Sequence, residues 1–269
     1  MRLETRRKRR QREAAEQPFA NEWRALLSGR WSMWSWLSAD EQRRLEQLIK
    51  VFIADKRWEA AKGFELTETA QVLIAAQACL LVLELDRDHY RGVGTIIVHP
   101  TTLVLHGQRQ TGTGGLVSSD PYPILGQAHY EGPVIIAWDA ARFDAATPFR
   151  GENVVIHEFA HKLDMLDGVI DGTPPLPDDD ARRRWIDVCT REFTALSAGL
   201  ADPLLRDYGA EDPGEFFAVA TEVFFCRPVE MRETKPELYE VLSGFYRQDP
   251  AARLSKPLDG SGESLPASL

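Results

Sequence analysis

The chain has 269 residues and a formal net charge of −9, with 43% hydrophobic and 27% charged residues. This composition is ordinary for a globular protein, and the net acidity argues against nucleic acid as the main ligand. The longest apolar run, residues 72–85, is too short to span a membrane. The start lacks the apolar segment of a signal peptide, and the three cysteines are far apart. We therefore expect a cytoplasmic protein without a membrane partner.

Positive charge is concentrated at the start of the chain. Residues 1–13 contain seven Lys or Arg and two Glu, so this stretch carries +5 and the remainder −14. Arginine-rich termini without an apolar run seldom pack against a core. We therefore expect a mobile basic tail over residues 1–16, a single domain over residues 17–254 and a polar tail over residues 255–269.

The first part of the domain is predicted to be helical. A short helix is predicted over residues 18–27, and Ser38 with Glu41 forms a capping box that opens an amphipathic helix. Thr67 is expected to cap a third helix over residues 72–85. This third helix is almost wholly apolar, so it should be buried on most sides.

Short strands are predicted from residue 95 onward. Residues 95–98 and 102–105 are β-branched or apolar, residues 107–120 are rich in Gly, Ser and Thr and predict a loop, and residues 125–130 are a weaker strand candidate. The last predicted strand covers residues 134–138 and lies shortly before the motif described next. We expect this strand to form the cleft edge that pairs with an extended substrate, through Val134, Ile135, Ile136, Ala137 and Trp138.

A metal-binding motif follows the predicted sheet. Residues 157–161 are HEFAH, which is the pattern H-E-x-x-H. On a helix, His157 and His161 lie one turn apart on the same face, so both imidazoles can bind one zinc ion. Glu158 projects beside that ion, where a general base for a metal-activated water should stand. The pattern predicts a zinc hydrolase site on a buried helix that ends near Gly168.

A third ligand must come from another element. The helices predicted after the motif, which are candidates to supply it, cover residues 178–199, 212–225 and 237–247. The second of these, with Asp212 as its N-cap, offers Glu215 and Glu222, which are seven residues apart and therefore nearly on one face. A glutamate in so apolar a helix is costly to bury unless it is paired or bound to metal. Glu215 could instead close a capping box, and Glu222 could pair with an arginine, so the residues alone leave the choice open.

Four runs of the sequence resemble the Mlc titration factor A family of zinc peptidases. They are KGFEL at residues 62–66, HEFAHKLD at residues 157–164, DPGEFFAV at residues 212–219 and FYRQDP at residues 245–250. They occur in the family's order, and the resemblance covers about residues 23–254. The family is similar to the catalytic domain of lethal-factor-type toxins in the gluzincin group. The resemblance implies a mostly helical α+β, zincin-like fold with a small sheet beside the motif helix.

The resemblance also implies roles for individual residues. It implies that one zinc ion per chain is bound by His157, His161 and Glu215, and that Glu158 is the base. It further implies that Tyr208 faces the substrate carbonyl, where a phenol O–H could stabilise an oxyanion.

Two further carboxylates are candidates for orienting the ligands. Asp164 lies one turn beyond His161 on the same face, so it could accept a hydrogen bond from an imidazole. Glu222 could do the same from the later helix.

These observations predict a zinc-dependent, aminopeptidase-like enzyme that hydrolyses peptides. The resemblance also implies binding to Mlc, a transcriptional repressor of glucose-uptake genes. The alternative is therefore a regulatory protein that sequesters a repressor and has weak or gated peptidase activity. Glu158 and Tyr208 favour the enzyme, because binding alone needs neither. A purely structural zinc site would be closed by four protein ligands, usually with cysteines.

Overall fold

The fold is known from a computed structural model, which describes residues 5–85, 87–101, 103–105, 109–111, 116–118, 122–124, 126–128, 132–199 and 202–255. These residues form eleven α-helices and eight short strands, which confirms the predicted, mostly helical α+β class. The helices are α1 (Arg6–Glu16), α2 (Asn21–Arg30), α3 (Ala39–Asp55), α4 (Glu68–Leu81), α5 (Trp138–Ala146), α6 (Val154–Asp164), α7 (Asp179–Ser197), α8 (Pro213–Cys226), α9 (Pro228–Thr234), α10 (Pro236–Tyr246) and α11 (Pro250–Ser255). The strands are β1 (Arg57–Ala60), β2 (Thr95–His99), β3 (Leu103–Leu105), β4 (Arg109–Thr111), β5 (Leu116–Ser118), β6 (Tyr122–Ile124), β7 (Gly126–Ala128) and β8 (Val134–Ala137).

The main sheet has four strands in the order β1-β2-β8-β7. The first three are parallel, with Trp58 opposite Ile96 and Val98 opposite Ile136, whereas β7 runs antiparallel to β8. β3 pairs with β6, and β4 pairs with β5, in two separate antiparallel ribbons. The predicted loop over residues 107–120 is therefore wrong for β4 and β5. Those strands hold each other through backbone pairing, and their sequences lack an apolar alternation that would reveal them.

β8 lies inside the sheet, so the predicted cleft edge over residues 134–138 is wrong. The β8 backbone pairs with β2 on one side and with β7 on the other, and Trp138 begins α5 instead of extending the strand. The apolar composition of a strand indicates that the strand is buried, but it does not indicate whether the strand lies at the edge or in the middle of the sheet. Among the described residues, β7 is the strand at this edge.

The motif helix α6 is the centre of the fold. All eleven of its residues are buried, and it packs against α4, α8 and the β7–β8 side of the sheet. α4 is nearly as buried, as its apolar sequence predicts, and the Thr67 hydroxyl accepts a hydrogen bond from the N–H of Ala70 at its start. It ends at Leu81, four residues before the predicted end. These contacts fix α6 rigidly between two buried helices and the sheet.

The start of the chain folds as a helix, so the predicted mobile tail over residues 1–16 is wrong from Arg6 to Glu16. α1 packs on α3, where the Arg7 guanidinium binds both oxygens of Asp55 at 2.5 and 2.6 Å and Gln11 donates to Asp55 at 2.9 Å. Lys50 donates to the carbonyl of Ala15 at 3.0 Å. No residue of α1 is buried, so polar contacts hold it, and apolar patterning cannot predict them.

The hydrophobic core forms one cluster that runs in sequence from Phe19 to Ala251. The polar tail predicted over residues 255–269 falls outside the described part of the chain after Ser255. None of the described helices combines the length and the apolarity that crossing a bilayer requires.

Candidate metal centre

The start of α6 is held by hydrogen bonds from three directions. Asn153 is the N-cap, and its side-chain oxygen accepts from the N–H of Ile156 at 3.0 Å, an interaction worth about 1 kcal/mol to a helix. Its side-chain nitrogen donates to Gln77 of α4 at 2.8 Å, and the N–H of Val154 donates to Asp144 of α5 at 2.9 Å. The helix that carries the motif is thereby fixed in position and rotation.

Three donor atoms converge beside α6. The Nε2 atoms of His157 and His161 are 3.2 Å apart. One carboxylate oxygen of Glu215, Oε2, lies 3.0 Å from Nε2 of His157 and 3.4 Å from Nε2 of His161. These residues form the one cluster of potential metal ligands found in the described chain. The structure therefore brings together the two histidines of the motif and Glu215.

The donor triangle has the dimensions of one face of a zinc site. Zinc bonds of ~2.0–2.1 Å in a tetrahedron place the donor atoms about 3.3–3.4 Å apart, close to the observed 3.0, 3.2 and 3.4 Å. Glu215 Oε2 is buried without a hydrogen bond within the described residues. A single cation at the centre of this triangle would be bound by both imidazole nitrogens and by the carboxylate oxygen. The residues present therefore fit a metal ion.

The electrostatics of this pocket favour positive charge. Burial lowers the pKa of His157, but the carboxylates of Glu215 and Glu222, which lie beside its two ring nitrogens, outweigh burial and raise this pKa to about 10. Burial raises the pKa of Glu215, and its contacts with both histidines reverse that effect and depress the pKa below its usual range. The carboxylates thus stabilise a cation at the point where the imidazoles meet.

Glu158 is buried next to the donor triangle. Its side chain follows His157 directly, and its Oε2 atom has no hydrogen-bond partner within the described residues. Burial raises its pKa to about 7, against the lowering effect of His157 and His161. A carboxylate with a pKa near neutrality can both accept and return a proton. The sequence predicts this role, general base, for Glu158.

Glu222 is placed to orient His157. Its Oε1 atom lies 2.8 Å from Nδ1 of His157, the ring nitrogen that faces away from Glu215. Its Oε2 atom accepts from the N–H of Asn153 at 2.5 Å, and the Arg206 guanidinium pairs with Oε1. Glu222 is therefore beside a ligand and outside the donor triangle, and Arg206 compensates its buried charge. Of the two glutamates on α8, Glu215 is therefore the one whose carboxylate lies beside the Nε2 atoms of both histidines.

Tyr208 lies against the ring of His157. It belongs to the 3-10 turn Asp207–Ala210, which precedes α8. Its ring centroid is 5.8 Å from that of His157 at an interplanar angle of 34°, and the Arg206 guanidinium lies 5.9 Å from the Tyr208 centroid on its face. Tyr208 is thus beside the candidate metal centre, and its expected role in facing the substrate carbonyl stays a prediction.

Asp164 takes a different role from the expected one. Its Oδ2 atom accepts a hydrogen bond from the N–H of Gly172 at 3.0 Å, and burial raises its pKa to about 7. Its Oδ1 atom and the Nδ1 atom of His161 are both without a hydrogen bond in the described part of the structure. The expected hydrogen bond from an imidazole N–H to Asp164 is therefore not formed, and Asp164 instead anchors the loop that follows α6.

Several residues that support the site were not predicted. Arg206, Asn153 and Asp144 each contact α6 or Glu222 from another element. Asn153 directly precedes the motif helix and is a strong N-cap residue, so local sequence could have identified it. Arg206 and Asp144 carry no such signal, because their role depends on contacts with residues 10 or more positions away.

A cluster of two buried histidines and a half-buried glutamate, with Glu158 directly after the first histidine on α6, is a donor set typical of metallopeptidases. The family described as glucose-regulated metallo-peptidase M90 matches residues 5–247 of this chain. The match is long enough to establish membership, and the chain belongs to this metallopeptidase family. It begins at Thr5 and therefore includes α1, which the resemblance drawn from the sequence alone left out.

Individual relatives agree with this assignment. The uncharacterized protein slr2042 of Synechocystis is 33% identical over 246 residues, which cover 90% of this chain and 89% of the relative. Mlc titration factor A of Enterobacter sp. strain 638 is 33% identical over 242 residues, with 86% and 88% coverage. Mlc titration factor A of Edwardsiella ictaluri is 35% identical over 227 residues, with 81% and 84% coverage. The chain is thus similar to these proteins over nearly their full length.

Proposed function

We propose that this protein is a zinc-dependent peptidase with aminopeptidase-like activity and one zinc ion per chain. The observation that carries the proposal is the convergence of His157, His161 and Glu215 within 3.0–3.4 Å, with Glu158 buried at the edge of the triangle. Three protein donors leave the fourth position of a tetrahedral ion open, which is typical of catalytic zinc. Family membership supports the same reading.

Bound in this triangle, zinc supplies a Lewis acid that activates water and polarises the substrate carbonyl. Glu158 accepts the proton of the attacking water on a carboxylate oxygen and returns it to the leaving amine. The Tyr208 hydroxyl donates a hydrogen bond to the oxygen on which negative charge develops. Glu222 holds His157 by accepting the Nδ1 proton, which directs the Nε2 lone pair towards the donor triangle.

A panel of unblocked and N-blocked chromogenic peptides tests this proposal. The protein is assayed as purified, after chelation, and after zinc is added back. We expect hydrolysis of the unblocked peptides, loss on chelation and recovery with zinc. The variant Glu158→Gln serves as the matched control for a contaminating peptidase, because it purifies in the same way. Hydrolysis that survives both chelation and this substitution would reject the proposal.

The second candidate function is the binding of a transcriptional repressor. Two relatives that align with more than 80% of this chain are named Mlc titration factor A, and this observation favours a regulatory partner. We propose that such binding is separable from catalysis, since one buried side chain adds little area to a protein interface. A purified Mlc-type repressor should bind Glu158→Gln as tightly as the unaltered protein. Loss of binding in this variant would join the two functions.

A further inference from the structure

We propose that Val169 and Ile170 form an apolar subsite that selects peptide substrates with a large apolar side chain next to the scissile bond. This inference rests on the proposed peptidase function and names its substrate class. It concerns the loop of residues 165–178, which connects α6 to α7. We refer to residues 165–178 as the α6–α7 loop.

The α6–α7 loop is fixed to the elements that carry the metal ligands. The N–H of Gly172 donates to Asp164 at 3.0 Å, and its carbonyl accepts from the indole N–H of Trp185 at 2.9 Å. Gly172 has φ +73°, and a Cβ atom there would lie 2.2 Å from the carbonyl oxygen of Pro213. Only glycine permits this approach. The loop is therefore seated directly on the first turn of α8.

Ile170 contacts the helix that carries Glu215. A Cβ atom on Gly214 would lie 3.0 Å from Cγ2 of Ile170, so the isoleucine side chain rests against the residue that precedes Glu215. At its other end the loop leaves α6 three residues after His161. The Val169–Ile170 pair thus lies between the C-terminal end of α6 and the N-terminal end of α8, the two helices that carry the candidate ligands.

These side chains are exposed although the loop that carries them is fixed. Val169 and Ile170 are 52% and 50% exposed, and Leu166 is 40% exposed. The flanking Asp167 and Asp171 point to solvent and bind backbone N–H groups of the same loop. An apolar patch that is held rigid and rimmed by polar residues is typical of a binding surface. Because the patch lies at the ends of the two helices that carry the candidate ligands, its position favours a substrate side chain as the occupant.

A second apolar surface on the same molecule provides a control. Phe149 is 72% exposed and lines a cavity with Cys226 and Arg227, at the C-terminal end of α8. Ile170 contacts the N-terminal end of that helix. Gly214 and Cys226 are twelve positions apart on α8, which corresponds to about 18 Å along the helix. A substitution at Phe149 therefore changes exposed apolar surface without touching the proposed subsite.

The test compares Val169→Thr/Ile170→Thr with Phe149→Thr. Threonine keeps the β-branch, and at position 170 it keeps the Cγ2 methyl group that contacts Gly214, so the loop should retain its conformation. Two dipeptide amide series, Xaa-Ala and Ala-Xaa with Xaa as Leu or Ala, probe both sides of the scissile bond. We expect the ratio of kcat/KM for Leu over Ala to fall about 10-fold in one series for the double variant, as for other hydrophobic pockets. Phe149→Thr should keep the ratio of the unaltered protein.

Binding of leucine and alanine hydroxamates to the zinc-loaded protein, measured by calorimetry, provides a readout that needs no turnover. The double variant should lose about 10-fold of the preference for the leucine compound. Unchanged ratios in both peptide series and in calorimetry would overturn the subsite, while hydrolysis by the double variant would leave the peptidase function intact. If the unaltered protein hydrolyses no peptide, the peptidase proposal fails, and the calorimetric ratio alone decides whether the surface selects apolar side chains.

Discussion

Oε1 of Glu222 lies 2.8 Å from Nδ1 of His157, on the side of the ring opposite to Glu215. This contact sets the tautomer of the imidazole, because an Nδ1–H that donates to Glu222 leaves Nε2 with its lone pair free for a metal. The same carboxylate accepts from the backbone of Asn153 and pairs with Arg206. One glutamate of α8 therefore links the orientation of a ligand to the position of the motif helix.

The first prediction concerns this link. Glu222→Gln should weaken zinc affinity about 10–100-fold, as is typical when a group that orients a metal ligand is altered. Gln can still accept from His157, but it no longer carries the charge that polarises the imidazole. Zinc affinity is measured by competition with a chromophoric chelator. Affinity equal to that of the unaltered protein would assign Glu222 a purely structural role.

A double variant separates orientation from folding. Glu222→Gln alone leaves the Arg206 guanidinium without its carboxylate, and loss of one partner of a buried pair is itself destabilising. Glu222→Gln/Arg206→Gln removes both charges, so its thermal unfolding should approach that of the unaltered protein. We expect zinc affinity to stay low in the double variant. Recovery of affinity together with stability would show that the single variant acted through folding.

The second prediction concerns the base. Glu158→Gln should retain zinc and reduce kcat by about 10²–10⁴-fold, because Gln preserves the shape of the side chain and cannot accept the proton. Zinc content and steady-state kinetics on the same preparation measure both effects. A variant that hydrolyses peptides at close to the original rate would show that another group takes the proton.

The third prediction concerns Tyr208. Tyr208→Phe should lower kcat about 10²–10³-fold with zinc content unchanged, as for the loss of one oxyanion donor. Phenylalanine keeps the ring that lies 5.8 Å from the ring of His157, so the substitution removes the hydroxyl alone. A change confined to KM would instead indicate that the hydroxyl binds substrate equally in the ground and transition states.

Much of the site could be predicted because its signals are local. The two histidines and Glu158 lie within five residues, and helical periodicity alone places both imidazoles on one face. The choice between Glu215 and Glu222 could not be made that way, since the two lie nearly on one face of α8. The two glutamates differ in their position along α8 relative to α6. Only the packing of these two helices determines which glutamate lies beside the Nε2 atoms of the histidines.

The fold was predictable to a similar degree. Apolar periodicity and capping residues indicate α3, α4, α7, α8 and α10, whose stability depends on burial of one face. α1 and the place of β8 in the sheet could not be predicted. Polar contacts hold α1 to Asp55, which lies 48 positions after Arg7 and 44 positions after Gln11. The place of β8 depends on the strands that pair with it, and the composition of β8 does not encode those partners.

The fourth prediction concerns the docking of α1. Asp55 is buried, which raises its pKa, but Arg7 and Lys56 outweigh this effect and lower the pKa to about 2. An aspartate with a folded-state pKa below its unfolded value of ~3.9 stabilises the fold above that value. This contribution should be lost as the pH falls from about 4 to 2. Asp55→Asn should therefore unfold more easily than the unaltered protein at pH 7, by about 1–2 kcal/mol, since Arg7 is partly screened by solvent.

The matched control for this prediction is Asp180→Asn. Asp180 pairs with Arg183 in an exposed position, with 88% of its side chain accessible, so its removal should change stability little. Denaturant unfolding at pH 7, 4 and 2 should show a gap between Asp55→Asn and the unaltered protein that closes towards pH 2. A gap that persists at pH 2 would assign the effect to packing and not to the charge of Asp55.

The most direct test of the candidate site is the zinc content of the dialysed protein and of Glu215→Gln, measured by elemental analysis. Glu215 supplies one of the three donor atoms, so its loss should release the ion. Gln is compatible with the first turn of α8, where the Glu215 N–H donates to Asp212 at 3.0 Å, and circular dichroism can verify the fold. We predict one zinc per chain in the unaltered protein and nearly none in the variant. Failure of the unaltered protein to bind zinc even after zinc is added, or full zinc content in Glu215→Gln, would contradict the account.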